Sequence, residues 1–158
     1  MKFAYSTLAC PGRRLEETLE LGARTGYAGV ELRLALVPSP WVGAVWDSHH
    51  PGRAGESARE VYEAIGSRLC LAQVKDAART GNGPNDWRLV LLGEGDVPVR
   101  DMLRLLVSGG YTGWVSVEWE KRWHPEIEEP ELALPQHLEL LRSWMAELDA
   151  ANSRPEGR

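Results

Sequence analysis

Gly26-Tyr27-Ala28-Gly29-Val30-Glu31 returns far down the chain as Gly110-Tyr111-Thr112-Gly113-Trp114-Val115-Ser116-Val117-Glu118. Both stretches share one layout: a helix stop, a Gly-Tyr-x-Gly turn, an apolar strand, then a glutamate. The two glycines let the chain reverse tightly out of a helix, and the glutamate falls where the strand ends. A unit that recurs in this form is a βα repeat. Strands alternating with helices build a parallel sheet, and ligands of such folds gather at the C-terminal ends of the strands. In a closed (β/α)₈ barrel the same end carries the active site.

The rest of the chain extends this alternation. Lys2 to Leu8 reads as a first strand, stopped by Cys10-Pro11-Gly12, and Arg14 to Thr25 as a helix. That helix is expected to bury Leu15, Leu19 and Gly22 and to turn Glu16, Glu17 and Glu20 to water. Val30 to Arg33 is a second strand, and the prolines at 38 and 40 keep residues 34–41 out of it. Val42 to Trp46 is a third. Ser57 to Ser67 follows as a helix with Ser57 as N-cap and Val61, Ala64 and Ile65 inward. Leu69 to Val74 is a fourth strand, Ala77 to Asn85 a loop, and Trp87 to Leu92 a brief extra strand. Val99 to Val107 is helical, Trp114 to Glu118 is the fifth main strand, and Gln136 to Leu148 is a helix with Leu138, Leu141, Met145 and Leu148 at helical spacing. The polar residues 150–158 are expected to be a disordered tail.

Composition bounds the function classes. A chain of 158 residues with 43% hydrophobic and 26% charged residues is that of a globular protein with one domain. No run approaches the roughly 20 apolar residues of a membrane span, and Met1 to Arg14 lacks the layout of a signal peptide, so the expected location is the cytoplasm. The net charge of -5 works against general nucleic-acid binding, which depends on neutralising phosphates with Lys and Arg. Cys10 and Cys70 have no metal or disulfide spacing, and both are expected to be buried thiols. Seven tryptophans are many for this length. Several stand beside acids or histidines, as in Trp46-Asp47, Glu118-Trp119 and Trp123-His124, and suit either core packing or a pocket for a sugar.

The strand ends collect chemistry. Glu31 follows the second strand, Asp47, His49 and His50 the third, Gln73, Lys75 and Asp76 the fourth, and Glu118 and Glu120 the fifth. Carboxylates with a histidine pair are the composition of a hard or borderline metal site, which oxygen ligands bias to Mg²⁺ or Mn²⁺ and imidazole extends to Co²⁺ or Zn²⁺. Each residue also has a structural reading. Asp47 suits a cap as well as a ligand, His50 before Pro51 suits a loop, and Glu31 near Arg33 suits a structural carboxylate. Glu118, between an apolar strand and Trp119, is expected to be partly desolvated, which lifts a carboxyl toward the range of a general base.

Trp46-Asp47-Ser48-His49-His50-Pro51, Gln73-Val74-Lys75-Asp76-Ala77, Leu92-Gly93-Glu94-Gly95-Asp96-Val97-Pro98 and Gly110-Tyr111 through Val117-Glu118-Trp119-Glu120 resemble, in order, the last three βα units of sugar phosphate isomerase/epimerase proteins, the xylose-isomerase-like barrels. Gly29-Val30-Glu31-Leu32-Arg33 and the residues before it resemble that family's first two units. The resemblance implies an α/β fold, a partial TIM barrel of about five main parallel strands. It forms one incomplete domain over residues 1–149, with 1–34 holding the first two units and 41–149 the last three. The family places three more units between them, one of which bears a glutamate that is both ligand and base. It also usually has histidine where this chain has Gln73.

The activity implied is a metal-dependent sugar or sugar phosphate isomerase or epimerase, in which a divalent ion (Mn, Mg, Co or Zn) and glutamates move a proton through an enediolate. Asp47, Glu118, Gln73 and His50 are the implied metal ligands, Glu118 the implied base, and His50, Arg79 and Glu31 the implied substrate contacts. The implied partner is a small sugar, with no nucleic acid or membrane, and a homo-oligomer could complete the barrel. The alternatives are an inactive truncated barrel that binds metal or a partner, and a polyol lyase of the same fold. A phosphodiesterase like the endonuclease IV relatives would need a histidine-rich zinc cluster and a basic groove, against four histidines and an acidic balance here.

Overall fold

Helix stops at Gly26 and Gly110, both with positive φ, launch the strands on which the sheet is built. A computed structural model describes residues 1–6, 9–31, 44–81, 83 and 86–152. The expected strand ends at 7–8, 32–33 and 42–43, the connection 34–41, loop residues 82 and 84–85, and the tail 153–158 lie outside it. The sheet contains β1 (Lys2–Ser6), β2 (Gly29–Glu31), β3 (Ala44–Asp47), β4 (Leu69–Val74) and a last strand numbered β7 (Trp114–Val117). A hairpin of β5 (Asp76–Arg79) and β6 (Trp87–Val90) precedes that strand. The helices are α1 (Leu15–Thr25), α2 (His50–Arg53), α3 (Ala58–Ile65), α4 (Val99–Ser108) and α5 (Pro130–Asn152).

The five strands run parallel in the order β2-β1-β7-β4-β3. The first strand therefore lies beside the last, which is how a barrel closes on itself. Closure stops there: among the described residues β2 and β3 each pair on one side only. Strand alternation sends Tyr5, Trp46, Ala72, Val74, Val115 and Val117 into one apolar core with Leu103, Leu106, Leu134, Leu138 and Leu141 of α4 and α5. The other face carries the row Ala4, Ser116, Gln73, Asp47, in register across four strands. Next to it runs the row Lys2, Trp114, Leu71, Val45, of which Trp114 and Val45 are exposed.

Several local expectations are corrected by packing. Helix α1 buries Thr18, Leu21 and Gly22 and leaves Leu15 and Leu19 about half exposed. Gly22 decides this, because the Tyr5 ring fills the place of its missing side chain, and the Tyr5 hydroxyl donates to the Thr18 carbonyl. In α3 Ser57 caps as expected, accepting from the Glu60 N–H at 3.3 Å while Glu60 accepts from the Ser57 N–H at 2.8 Å; Val61 is buried but Ala64 is exposed. Helix α5 begins at Pro130, ahead of the expected Gln136, and takes Pro135 into its second turn. Ala77 to Arg79, expected in a loop, form β5, paired antiparallel with β6. Cys10 is buried, whereas Cys70 is exposed, because it falls at the shift in register between the Ala44–Leu69 and Val45–Leu71 pairs. No described helix is long and apolar enough to cross a membrane.

Candidate active site

Asp47 ends β3 with its two oxygens divided between tasks. Oδ1 accepts the N–H groups of His49 at 2.8 Å and His50 at 2.9 Å, so it caps the turn into α2. Oδ2 lies 3.0 Å from the ammonium of Lys75. The structural and the functional readings of this residue therefore both hold, one per oxygen.

Lys75 follows β4 directly, with its side chain 1% exposed. Besides Asp47, its Nζ donates to Glu118 Oε2 at 2.6 Å and Glu120 Oε1 at 2.5 Å, and lies 3.4 Å from His50 Nε2. Three strand ends thus converge on one nitrogen. Burial alone would disfavour the charge, but Asp47, Glu118 and Glu120 outweigh it and hold the ammonium protonated well above the ordinary lysine range. Glu118 is 3% exposed. Burial pushes its carboxyl up to about 7, and the adjacent Asp47 carboxylate adds to that rise against the pull of Lys75. For Asp47 burial works in the same direction, yet Lys75, the His50 N–H and the Glu118 carboxyl prevail and hold it below the usual range. One proton shared between two carboxyls, resting on Glu118, is the arrangement these opposite shifts describe. His49 is lowered to about 4 by burial and by Lys75.

A cavity of about 300 Å³ opens beside the cluster, lined by His49, His50, Arg53, Trp87, Glu120 and His124 among others. His50 and Glu120 belong to both the cavity wall and the Lys75 cluster, so the two are contiguous. Trp87 meets His49 edge to face at 5.0 Å. Of the described tryptophans Trp87 lines this cavity, whereas Trp46 and Trp119 belong to the core.

The expected site residues fall into three groups. Asp47, Glu118 and His50 meet at Lys75. Gln73 is buried in β4, on the same face and in register with Asp47. Arg79 stacks on the Trp87 ring at 4.4 Å and lines a neighbouring hollow with Asp96 instead of the cavity beside the cluster. Glu31 ends β2 in register with Ser6; its side chain is outside the described part. Lys75 and Glu120 stood among the strand-end groups without a role. The available signal was that Lys75 is the one cation in a set of five acids, which a buried cluster needs for balance.

The carboxylates Asp47, Glu118 and Glu120 with His50 have the chemistry of ligands for a divalent ion. Their common focus, however, is the Lys75 ammonium, and among the described residues no group of three or more His, Cys, Asp or Glu is arranged to hold a metal. As they stand, these residues do not fit a metal ion.

The fold and the site together define a barrel-type protein with its polar cluster at the strand ends. The chain belongs to the xylose isomerase-like TIM barrel family, whose model matches residues 34–144. It is 30% identical over 114 residues to fructoselysine 3-epimerase of Escherichia coli O157:H7, and equally to that of Shigella flexneri. These matches cover 72% of this chain and 38% of each relative, so the chain spans well under half of the curated proteins it matches. Among solved structures it resembles a xylose isomerase domain protein from Planctomyces limnophilus, with a TM-score of 0.58 and 22% identity over 85% of this chain and 52% of that one. It also resembles a D-tagatose 3-epimerase-like protein, with a TM-score of 0.52 and 19% identity over 88% and 54%. The described strands and the alignments thus both correspond to part of a barrel.

Proposed function

We propose that the chain catalyses proton transfer next to the carbonyl of a ketose or ketose derivative, as an epimerase or isomerase. The observation that carries this reading is Glu118: a buried carboxyl, raised to about 7, joined through Lys75 to a cavity of sugar size. A group that gains and loses a proton near neutrality is what such chemistry needs. The sugar epimerases among the relatives support the substrate class, whether free ketose, phosphate or fructosamine.

In this reading the C–H bond beside the carbonyl breaks and its proton passes to the Glu120 carboxylate, which faces the cavity. Lys75, hydrogen-bonded to both glutamates, relays it: one ammonium proton moves to the Glu118 carboxylate as Lys75 takes the proton from Glu120. The electron pair moves onto the carbonyl oxygen, and the positive charge of the buried Lys75 ammonium, which lies behind Glu120 and His50 of the cavity wall, offsets the charge of the enediolate. Return of the proton to the other face of the same carbon gives the epimer; its delivery to the former carbonyl carbon, with the hydroxyl proton of the first carbon moving to the former carbonyl oxygen, gives the isomer. His50 orients a substrate oxygen from the cavity wall. The dependence on a divalent ion implied by the family resemblance is no part of this route, because Lys75 stands where the ligands converge.

Incubating the protein with ketoses in D₂O tests the reading. Deuterium should enter at the carbon beside the carbonyl, seen by proton NMR, and Glu118→Gln should abolish it. Incorporation unchanged by that substitution would remove Glu118 from the chemistry. Loss of water from a cyclic polyol would mark a lyase instead.

A second reading rests on β2 and β3, which among the described residues each pair on one side only. The outer sides of β2 and β3 and the exposed Val45 and Trp114 favour association. A second copy that completes the barrel, or another partner of an inactive remnant, would use them. Native mass spectrometry separates these cases from a monomer.

A further inference from the structure

We infer that Lys75 is a built-in cation that takes the place of a divalent metal ion, so that the wild-type cluster excludes metals and its carboxylates accept one only when the lysine is removed. The inference concerns cation occupancy and stands whether or not a ketose is turned over.

The argument begins with space. Asp47 Oδ2, Glu118 Oε2 and Glu120 Oε1 surround Nζ at 3.0, 2.6 and 2.5 Å. An ion bonded to the same oxygens, at the roughly 2.0–2.2 Å of Zn–carboxylate or Mg–oxygen contacts, would need the point that Nζ occupies. The two cations cannot share it. Lys75 also cannot step aside cheaply. Its side chain is 1% exposed, and its backbone is fixed to Ser48 through both N–H and C=O. An ammonium pushed off three carboxylates would remain buried without a counter-charge, which costs more than the original pairing gained.

Charge points the same way. Asp47, Glu118 and Glu120 present up to three negative charges to a buried point, and leaving such a set uncompensated is unfavourable. Elsewhere a divalent ion answers that need; here a tethered ammonium does so with no loss of translational freedom on binding. Its three N–H groups match the three carboxylates one to one. The cost is chemical: an ammonium offers one charge and directional hydrogen bonds in place of a Lewis acid.

The test reads metal content and unfolding temperature on the full chain, after chelator treatment and exposure to Mn²⁺, Zn²⁺, Co²⁺ or Mg²⁺ in turn. Wild-type protein is expected to retain no ion after desalting and to show no shift in Tm. Lys75→Met is expected to retain about one equivalent of Mn²⁺ or Zn²⁺ and to gain Tm with ion concentration, as binding to the native state requires. Adding Asp47→Asn and Glu118→Gln to that variant should remove the uptake. If Lys75→Met is unfolded without ions, Mn²⁺ or Zn²⁺ should restore its near-UV spectrum. Ethylammonium, which returns the missing charge to Lys75→Ala, should raise that variant's Tm and compete with the metal. An equivalent of ion held by the wild type would overturn the inference. So would a Lys75→Met protein that neither binds nor is rescued by any of the ions.

Discussion

Ser48 and Lys75 hold each other by two hydrogen bonds through a single hydroxyl. The Ser48 Oγ donates to the Lys75 carbonyl at 2.9 Å and accepts the Lys75 N–H at 3.0 Å. A side chain thus continues the β3–β4 ladder one step past the last strand pair, and this step fixes where the lysine leaves the sheet. Ser48→Ala would strand a buried N–H and a buried C=O. The expected loss is about 1–3 kcal/mol in a urea titration, with unchanged denaturant slope. A midpoint equal to that of the wild type would show that the pair contributes nothing.

Asp76 serves structure at a position where chemistry was conceivable. Its Oδ1 accepts the N–H groups of Ala77 at 2.8 Å and Val97 at 3.2 Å, and its Oδ2 those of Gly93 at 2.9 Å and Gly95 at 3.1 Å. The Leu92 to Pro98 motif is therefore wrapped around one carboxylate. Asp76→Asn puts an amide N–H₂ against two donors and is expected to cost on the order of 3 kcal/mol. Faster hydrogen exchange across residues 93–97 is the direct readout. Gly95→Ala should act similarly, since an added Cβ would meet the Ala77 carbonyl oxygen at 2.6 Å as well as the Asp76 carboxylate.

Gly22 lies in the middle of α1, where alanine would ordinarily gain about 1 kcal/mol of helix propensity. Here a Cβ would stand 2.7 Å from Cε1 of Tyr5. Overpacking of this kind costs about 1–3 kcal/mol, so Gly22→Ala is expected to lower stability. Shrinking the ring in Tyr5→Leu should make the second substitution far less damaging, and a double-mutant cycle reads that coupling. Additive losses would mean that the two residues do not meet.

Legibility followed the range of the interactions. The five main strands could be read because each is a short apolar run bounded, before or after it, by a turn or helix stop within a few residues. Strand β5 could not, because Ala77-Ala78-Arg79 has no alternation of its own and depends on β6 and on the Asp76 anchor. The inward face of α1 was misread for a related reason: Leu15 and Leu19 have the right spacing, but Tyr5 selects the side that lacks a side chain. Asp47, Glu118 and His50 were recognisable from residue type and place. That they converge on Lys75 depends on register between strands remote in sequence, and on which of several polar groups is left inside.

His137 predicts the acid behaviour of the fold. It sits wholly buried in α5, with its Nδ1 2.7 Å from the Ala133 carbonyl oxygen and its ring 5.2 Å from that of Trp119. With Nδ1–H donating to that carbonyl, Nε2 is the unprotonated nitrogen, and it has no hydrogen-bond partner among the described residues. Protonation would place a charge in the core, so burial lowers the imidazole from 6.5 to about 4 despite the opposing carbonyl bond. Unfolded, the same ring titrates near 6.5. Between those values the unfolded chain binds more protons than the native one, and stability must rise with pH across that window. The contribution is complete above about 6.5 and disappears as pH falls toward 4, amounting to on the order of 3 kcal/mol. Urea midpoints at neutral pH and at two points inside the window should fall in the wild type. His137→Phe, which keeps an aromatic ring beside Trp119 and cannot titrate, should show a shallower fall over the same window. Equal slopes for the two proteins would assign the acid sensitivity to other groups and leave His137 as packing alone.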